Sequence, residues 1–135
     1  MTGVGATGAH AQHAIGDVEM AFDCPAGLDD LDAAAFFFPF HVAYLSLLER
    51  GGLSAGETVL VHAGAGGVGS AAIQLARATG ARVLATAGSP AKLERCLELG
   101  ADVAIDYRAG DFAEAVLEAT GGDGVDVACD LVGGA

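Results

Sequence analysis

Basic residues are scarce in this chain: six lysines and arginines stand against eighteen aspartates and glutamates, for a net charge of −12. Nucleic acids and anionic membrane surfaces are held by basic faces, so neither is an expected partner. The same deficit means that an anionic ligand must be held by local dipoles and a few placed cations, not by a general positive field. Cysteine is also sparse. Cys24, Cys96 and Cys129 form no C-x-x-C pair and no Cys/His cluster, so no zinc or iron–sulfur site is signalled and no metal ligand is assigned. An odd, unpatterned set suits a reducing, cytoplasmic setting. Cys96 and Cys129 fall on apolar faces, where small buried side chains are expected. Residues 1–12 hold no lysine or arginine and no apolar core, so they are not expected to be a signal peptide. The longest apolar stretch, 33–48, is interrupted by Pro39, His41 and Ser46. It reads as too short for a bilayer span and as a buried helix pair broken at Pro39.

What the chain has in plenty is glycine, 21 in 135 residues. Most sit at expected element ends. Six positions matter more: Gly64-Ala65-Gly66-Gly67-Val68-Gly69 is a G-x-G-x-x-G turn. Before it lies the β-branched run Thr58-Val59-Leu60-Val61-His62. After it, Val68, Ala71, Ala72, Leu75, Ala76 and Thr79 share one helical face. A strand, a glycine turn and a helix together make a phosphate cradle. Gly64 is expected to permit the tight turn, Gly66 to let backbone approach a pyrophosphate, and Gly69 to let helix pack on strand. With Gly67 and Val68 they are the candidate cofactor-binding residues of the turn, where free N–H groups at the helix start favour an anion.

From Glu57 onward one plan repeats. Strand-like runs begin near Thr58, Arg82, Asp102 and Val125, at intervals of about 20 to 24 residues, enough for one strand and one helix each. Gly80 follows the first helix. Ser89-Pro90 opens the next as N-cap and N1, and Leu93, Cys96 and Leu97 form its apolar face up to Gly100. Asp111 with Glu114 resembles a capping box, followed by an apolar face of Phe112, Ala115, Val116 and Ala119. The fourth strand covers 125–131. Alternating strands and helices argue for an α/β fold, a partial Rossmann fold with a parallel sheet of about four strands and flanking helices. Before this region, Glu19-Met20-Ala21-Phe22 reads as a short strand and 28–50 as helical.

These residues carry a resemblance. The segment 53–69, together with Ala87-Gly88-Ser89-Pro90-Ala91-Lys92, Leu99-Gly100-Ala101-Asp102, Ile105-Asp106-Tyr107-Arg108, 120–127 and 130–134, resembles the medium-chain dehydrogenase/reductase superfamily, nearest its zinc-independent quinone oxidoreductase branch. The match runs from about Gly8 to the C-terminus. The resemblance implies that 1–24 is a remnant of a GroES-like catalytic domain, 25–56 the connecting helices and 57–135 a truncated dinucleotide-binding domain. It also implies a homodimer formed through sheet strands not present here, so the family-type dimer is not expected. Little or no turnover is expected of the chain by itself.

Candidate chemistry follows. NAD-binding folds place an acid at the end of the second strand, on the ribose 2′-OH. Here that place reads Thr86-Ala87-Gly88-Ser89, without an acid. Lys92, one turn on, can meet a 2′-phosphate as a point charge, and Ser89 can donate a hydrogen bond. The resemblance puts Lys92 and Tyr107 on the 2′-phosphate side of NADPH, which is favoured over NADH. The plainer alternative makes Ser89 a helix cap and Lys92 a solvated side chain. The resemblance further puts the backbone of 130–133, Val132 included, near the nicotinamide ribose. Val42 stands where relatives often have a cofactor-touching threonine. Phe36, Phe37 and Phe38 read as inter-domain core. His10, His13, His41 and His62 show no metal spacing, with His62 read as structural; no nucleophile triad is visible and catalytic residues are unassigned. The expected function is the NADPH-binding part of an oxidoreductase that passes hydride to a quinone or α,β-unsaturated carbonyl, a small-molecule substrate. The alternative is a non-catalytic nucleotide-binding or interaction module, or an inactive truncated piece.

Overall fold

The computed structural model describes residues 11–133 and the backbone of Thr2 and Gly3; His10, Gly8 and Gly134 lie outside the described residues. Two short strands, β1 (Thr2–Gly3) and β2 (Ala21–Phe22), pair antiparallel. Glu19 and Met20 are not strand. They form a 3-10 turn started by Asp17, whose carboxylate accepts the Glu19 N–H at 3.1 Å and so satisfies the backbone locally.

Helix α1 (Asp30–Tyr44) opens on Asp29, whose Oδ1 accepts the Asp32 N–H at 2.8 Å. It is not broken at Pro39. The helix runs through the proline and continues as wider π-type turns over Leu45–Arg50, closing with Gly51 N–H donating to Ser46 O at 2.9 Å. Proline removes one ladder bond, but packing outweighs it: Ala43 and Leu47 are fully buried and α1 lies against the helix that follows the glycine turn. Nor is the stretch a buried pair, for Leu31, Phe38, Tyr44 and Leu45 are exposed. The 21 residues Asp30–Arg50 are long and apolar enough to cross a bilayer, so length does not argue against a span; Ala43 and Leu47 instead join the core of the domain.

The main sheet has four parallel strands, β3 (Thr58–Val61), β4 (Arg82–Ala87), β5 (Val103–Asp106) and β6 (Val127–Cys129), in the order β5-β4-β3-β6. The third and fourth strands are shorter than the sequence runs. Asp102 and Asp126 drop out because their carboxylates turn back to the neighbouring strand, Asp102 Oδ2 accepting the Val83 N–H and Asp126 Oδ2 the Thr58 N–H, both at 2.8 Å. Helices α2 (Gly67–Thr79), α3 (Pro90–Glu98) and α4 (Phe112–Ala119) are the crossovers. Gly80, at φ 87°, ends α2 in the left-handed region; its N–H donates to Arg77 O and that of Ala81 to Ala76 O. The same pair of bonds ends α3 at Gly100-Ala101 and α4 at Gly121-Gly122.

Strand alternation divides the core. Val59, Val61, Val83, Ala85 and Ala87 join Ala72, Ile73, Ala76 and Cys96 on one face; Leu60, Leu84 and Ile105 join Val116 of α4 on the other. Leu97 is half exposed and does not share the inward face with Cys96. Asp111 caps α4 by accepting the Ala113 N–H at 2.8 Å, a one-sided cap rather than the reciprocal box with Glu114.

Candidate functional site

β3, β4, β5 and β6 all end at one rim, the edge where open α/β sheets bind ligands. A crevice of about 610 Å³ opens there, lined by His62, Ala63, Thr86, Tyr107, Phe112, Asp130, Val132 and Gly133. Of the sequence-predicted site residues it brings together Tyr107 and Val132; the glycine turn, Ser89 and Lys92 do not line it. Val132 is 70 % exposed at the crevice mouth.

The glycine turn has a different division of labour from the one expected. Gly64 does not supply the tight turn. A methyl group there would sit 2.9 Å from both Ala85 Cβ and Cys96 Sγ, so Gly64 is a packing position between β4 and α3. The left-handed residue is Ala63, at φ 53°. Two bonds hold that conformation: Gly64 N–H donates to Thr86 O at 2.9 Å and Gly66 N–H to Ala63 O at 2.9 Å. Gly69 is required, because a side chain would collide with the Ala63 carbonyl. Gly66 is tight against the same oxygen and Gly67 faces open space. Val68 is half-buried against the core.

The helix starts are unlike one another. Aspartates cap α1 and α4, but α2 and α3 have no side-chain cap and no acid in the first turn. The N–H groups of Gly67, Val68 and Gly69 have no carbonyl one turn behind them, whereas Ser70 N–H donates to Gly66 O at 2.8 Å. Ser89 has the extended backbone of an N-cap, yet its hydroxyl makes no capping bond. Lys92 is exposed in the first turn of α3, where its N–H donates to Ser89 O at 3.0 Å. A cation there faces the positive end of the helix dipole, an unfavourable placement unless an anion lies between them.

Tyr107 and Arg108 meet this turn from β5. An added Cβ at Gly88 would lie 2.6 Å from Tyr107 Cζ and 3.1 Å from Arg108 Nε, so the phenol and the guanidinium both lie over the Gly88 backbone. The Arg108 guanidinium carbon is 6.0 Å from the Tyr107 ring centroid. Arg108, Thr86 and Phe112 carry no role in the sequence reading, and His62 only a structural one; the structure brings Arg108 to Gly88 beside Tyr107 and sets the other three in the crevice wall. His62 Nδ1 lies 3.0 Å from Thr86 Oγ1, and its ring meets Phe112 edge-on with centroids 4.7 Å apart. Asp130 Oδ1 accepts the Val132 and Gly133 N–H groups at 2.9 and 3.0 Å, and these bonds hold its carboxyl below the ordinary carboxylate range. Burial pushes the Cys129 thiol up, with the adjacent Asp130 charge adding to it. Phe36 stacks on Phe40 and Phe22 on Phe37, while Phe38 is 62 % exposed.

A four-stranded parallel sheet with its glycine turn and ligand crevice at the carboxyl rim defines a dinucleotide-binding α/β domain of the Rossmann type. Comparison narrows the class: residues 67–135 match the family of zinc-binding dehydrogenases, and the chain belongs to that family, within the medium-chain dehydrogenase/reductase superfamily. It is 44 % identical over 119 residues to the phthioceranic/hydroxyphthioceranic acid synthase of Mycobacterium tuberculosis, covering 88 % of this chain and 6 % of that protein. It superposes on CurK enoyl reductase with a TM-score of 0.79 at 39 % identity, covering 87 % of this chain and 35 % of the other. For Escherichia coli quinone oxidoreductase complexed with NADPH the TM-score is 0.75 at 40 % identity, covering 82 % and 34 %. The chain thus spans about a third of these solved neighbours. The family's description names zinc, but among the described residues no three His, Cys, Asp or Glu side chains are placed to hold a metal ion, and no zinc chemistry is assigned to them.

Proposed function

We propose that this chain is the NADPH-binding part of an oxidoreductase that reduces a carbon–carbon double bond conjugated to a carbonyl, as in an enoyl thioester or enone, or a quinone. The observation that carries the cofactor choice is Lys92, a lysine in the first turn of a helix that has neither an acid nor a side-chain cap. A 2′-phosphate resolves that unfavourable placement, with Ser89, Tyr107 and Arg108 around it and no carboxylate at the end of β4 to repel it. The pyrophosphate fits the free N–H groups of Gly67, Val68 and Gly69, which Gly66 leaves accessible and Gly64 and Gly69 bring close to the sheet. The backbone at Val132 lies toward the nicotinamide ribose. When bound, the cofactor supplies the hydride; this chain's residues bind and orient it.

The neighbours named as enoyl reductase and quinone oxidoreductase support the reaction class. In this reading 1–24 belongs to the substrate-side domain, 25–56 connects, and 57–135 holds the cofactor. The zinc-independent character follows from conjugation, which lets the substrate accept hydride at carbon without a Lewis acid.

Calorimetric titration of the chain with NADPH, NADH and 2′,5′-ADP tests the proposal. NADPH is expected to bind about tenfold or more tighter than NADH, a preference that Lys92→Ala and Arg108→Ala each reduce without weakening NADH. Equal affinity for the two dinucleotides would remove the 2′-phosphate assignment.

A further inference from the structure

The crevice holds one imidazole whose proton is assigned by its neighbours. Thr86 is 1 % exposed, and its Oγ1 accepts the Ala63 N–H at 3.4 Å. A hydroxyl has one proton to give. The acceptor within reach is His62 Nδ1, at 3.0 Å. In the uncharged ring Nδ1 is therefore the acceptor and the proton sits on Nε2. The opposite tautomer would aim the His62 and Ala63 N–H groups at one oxygen and leave the buried hydroxyl proton without an acceptor.

The ring is also fixed in place. Its own backbone N–H donates to Cys129 O at 3.0 Å, and Phe112 stands against it at an interplanar angle of 86°. Ring rotation would break the Thr86 bond. Asp130, the charged group at the end of the neighbouring strand β6, has Oδ1 occupied by the Val132 and Gly133 amides, and the side-chain bond of His62 goes to Thr86 and not to this carboxylate. The His62 ring reaches Thr86 of β4, the strand that leads through Gly88 to the Ser89 turn, and Tyr107, which lies over Gly88, lines the same crevice; this is the adenosine side of a Rossmann site.

We infer that His62 is a binding and specificity residue: held in one tautomer by Thr86, it offers Nε2–H as a fixed donor to an acceptor on the adenosine half of the cofactor, a ribose oxygen or an adenine ring nitrogen. The inference rests on the dinucleotide reading of the crevice. It also excludes His62 as a general base, because the nitrogen that is free to face a ligand already holds the proton.

The test uses the full chain and its His62→Phe, His62→Gln, His62→Asn and Thr86→Val variants. Long-range ¹H–¹⁵N correlation spectra of the free wild type are expected to show a single Nε2-protonated tautomer, and Thr86→Val to let the Nδ1-protonated form appear beside it. In calorimetry His62→Phe, which keeps an aromatic ring against Phe112, is expected to weaken NADPH and 2′,5′-ADP alike by about tenfold. His62→Gln, which keeps a donor at similar reach, stays within about threefold of wild type. Should His62→Phe not fold, the shorter His62→Asn takes its place and is expected to lose binding. A wild-type ring protonated on Nδ1, or 2′,5′-ADP binding unchanged in both His62→Phe and His62→Asn, would overturn the inference and leave the cofactor reading standing. Failure of the wild type to bind any of these nucleotides would overturn both.

Discussion

Asp102 and Val83 exchange two hydrogen bonds: the Asp102 N–H donates to Val83 O, and Asp102 Oδ2 accepts the Val83 N–H, each at 2.8 Å. The residue that precedes β5 thereby closes the start of β4. Asp126, preceding β6, does the same to Thr58 at the start of β3, with bonds of 2.9 and 2.8 Å. Val83 is fully buried, so its amide has no water to turn to. Asp102→Ala is expected to cost about 2 kcal/mol in urea unfolding, and Asp102→Asn, which keeps an acceptor, about half of that. Arg77→Ala, which removes only the partner of Asp102 in an exposed ion pair, is expected to cost under about 0.5 kcal/mol. Equal losses for Arg77→Ala and Asp102→Ala would show that the ion pair, not the clasp, carries the stability.

Two glycines of one turn are expected to behave oppositely. At Gly69 a methyl group meets the Ala63 carbonyl, which is backbone and cannot swing aside. Gly69→Ala should therefore destabilise by about 3 kcal/mol. Gly67 sits at the first position of α2 with nothing near it, and Gly67→Ala should be neutral or stabilising by up to about 1 kcal/mol. Thermal melts of the two variants give the comparison, and a stable Gly69→Ala would contradict the geometry of the turn.

The three thiols should separate by rate. Burial pushes the Cys96 thiol up, and burial together with the Asp130 charge raises that of Cys129. Both side chains are enclosed, whereas Cys24 is half-buried. At about pH 8 an aromatic disulfide reagent is expected to take Cys24 first and the other two only on unfolding. Cys24→Ser should remove the early phase; its persistence would place a second thiol at the surface.

Asp130 gives the turn at the crevice mouth a pH dependence. The Val132 amide foremost, then that of Gly133, stabilises the carboxylate and lowers its pKa from the ordinary 3.8, aided by His62. A lowered folded-state pKa means that the contribution is fully present above 3.8 and is lost as pH falls through the lowered value. Amide shifts of Val132 and Gly133 should therefore titrate with a midpoint below 3.8, and Asp130→Asn should abolish the transition. A midpoint at or above the ordinary value would contradict the Oδ1 bonds.

The fold was legible because its signals are local. β-branched runs and glycine stops mark every crossover, an aspartate cap opens α4, and the alternation of Val59, Leu60 and Val61 already separates the two faces of the sheet. Pro39 misled because its neighbours on α2, which outweigh the lost bond, lie far along the chain. Gly64 was given the wrong task, since its contacts with Ala85 and Cys96 exist only after β4 and α3 have docked. The His62–Thr86 pair spans 24 residues and depends on register: Val61 lies beside Ala85, which brings the next residue of each strand together. Arg108 carried no signal of its own, because its nearness to Gly88 follows from Asp106 pairing with Ala87.

The three matched glycine endings of α2, α3 and α4 all fall where the chain turns to enter a strand, alongside the two aspartate clasps. The opposite rim, where the crevice opens, is held differently: Asp106 and Asp130 each fasten only the loop that follows their own strand. The two ends of one sheet therefore tolerate change to different degrees. Substitutions at the fastened end are paid for in folding, whereas at the open end that holds for the packing glycines Gly64 and Gly69, and changes in the loop residues around them alter what the domain recognises. A domain built this way can exchange one ligand preference for another by altering a few loop residues, without first having to solve the problem of folding again.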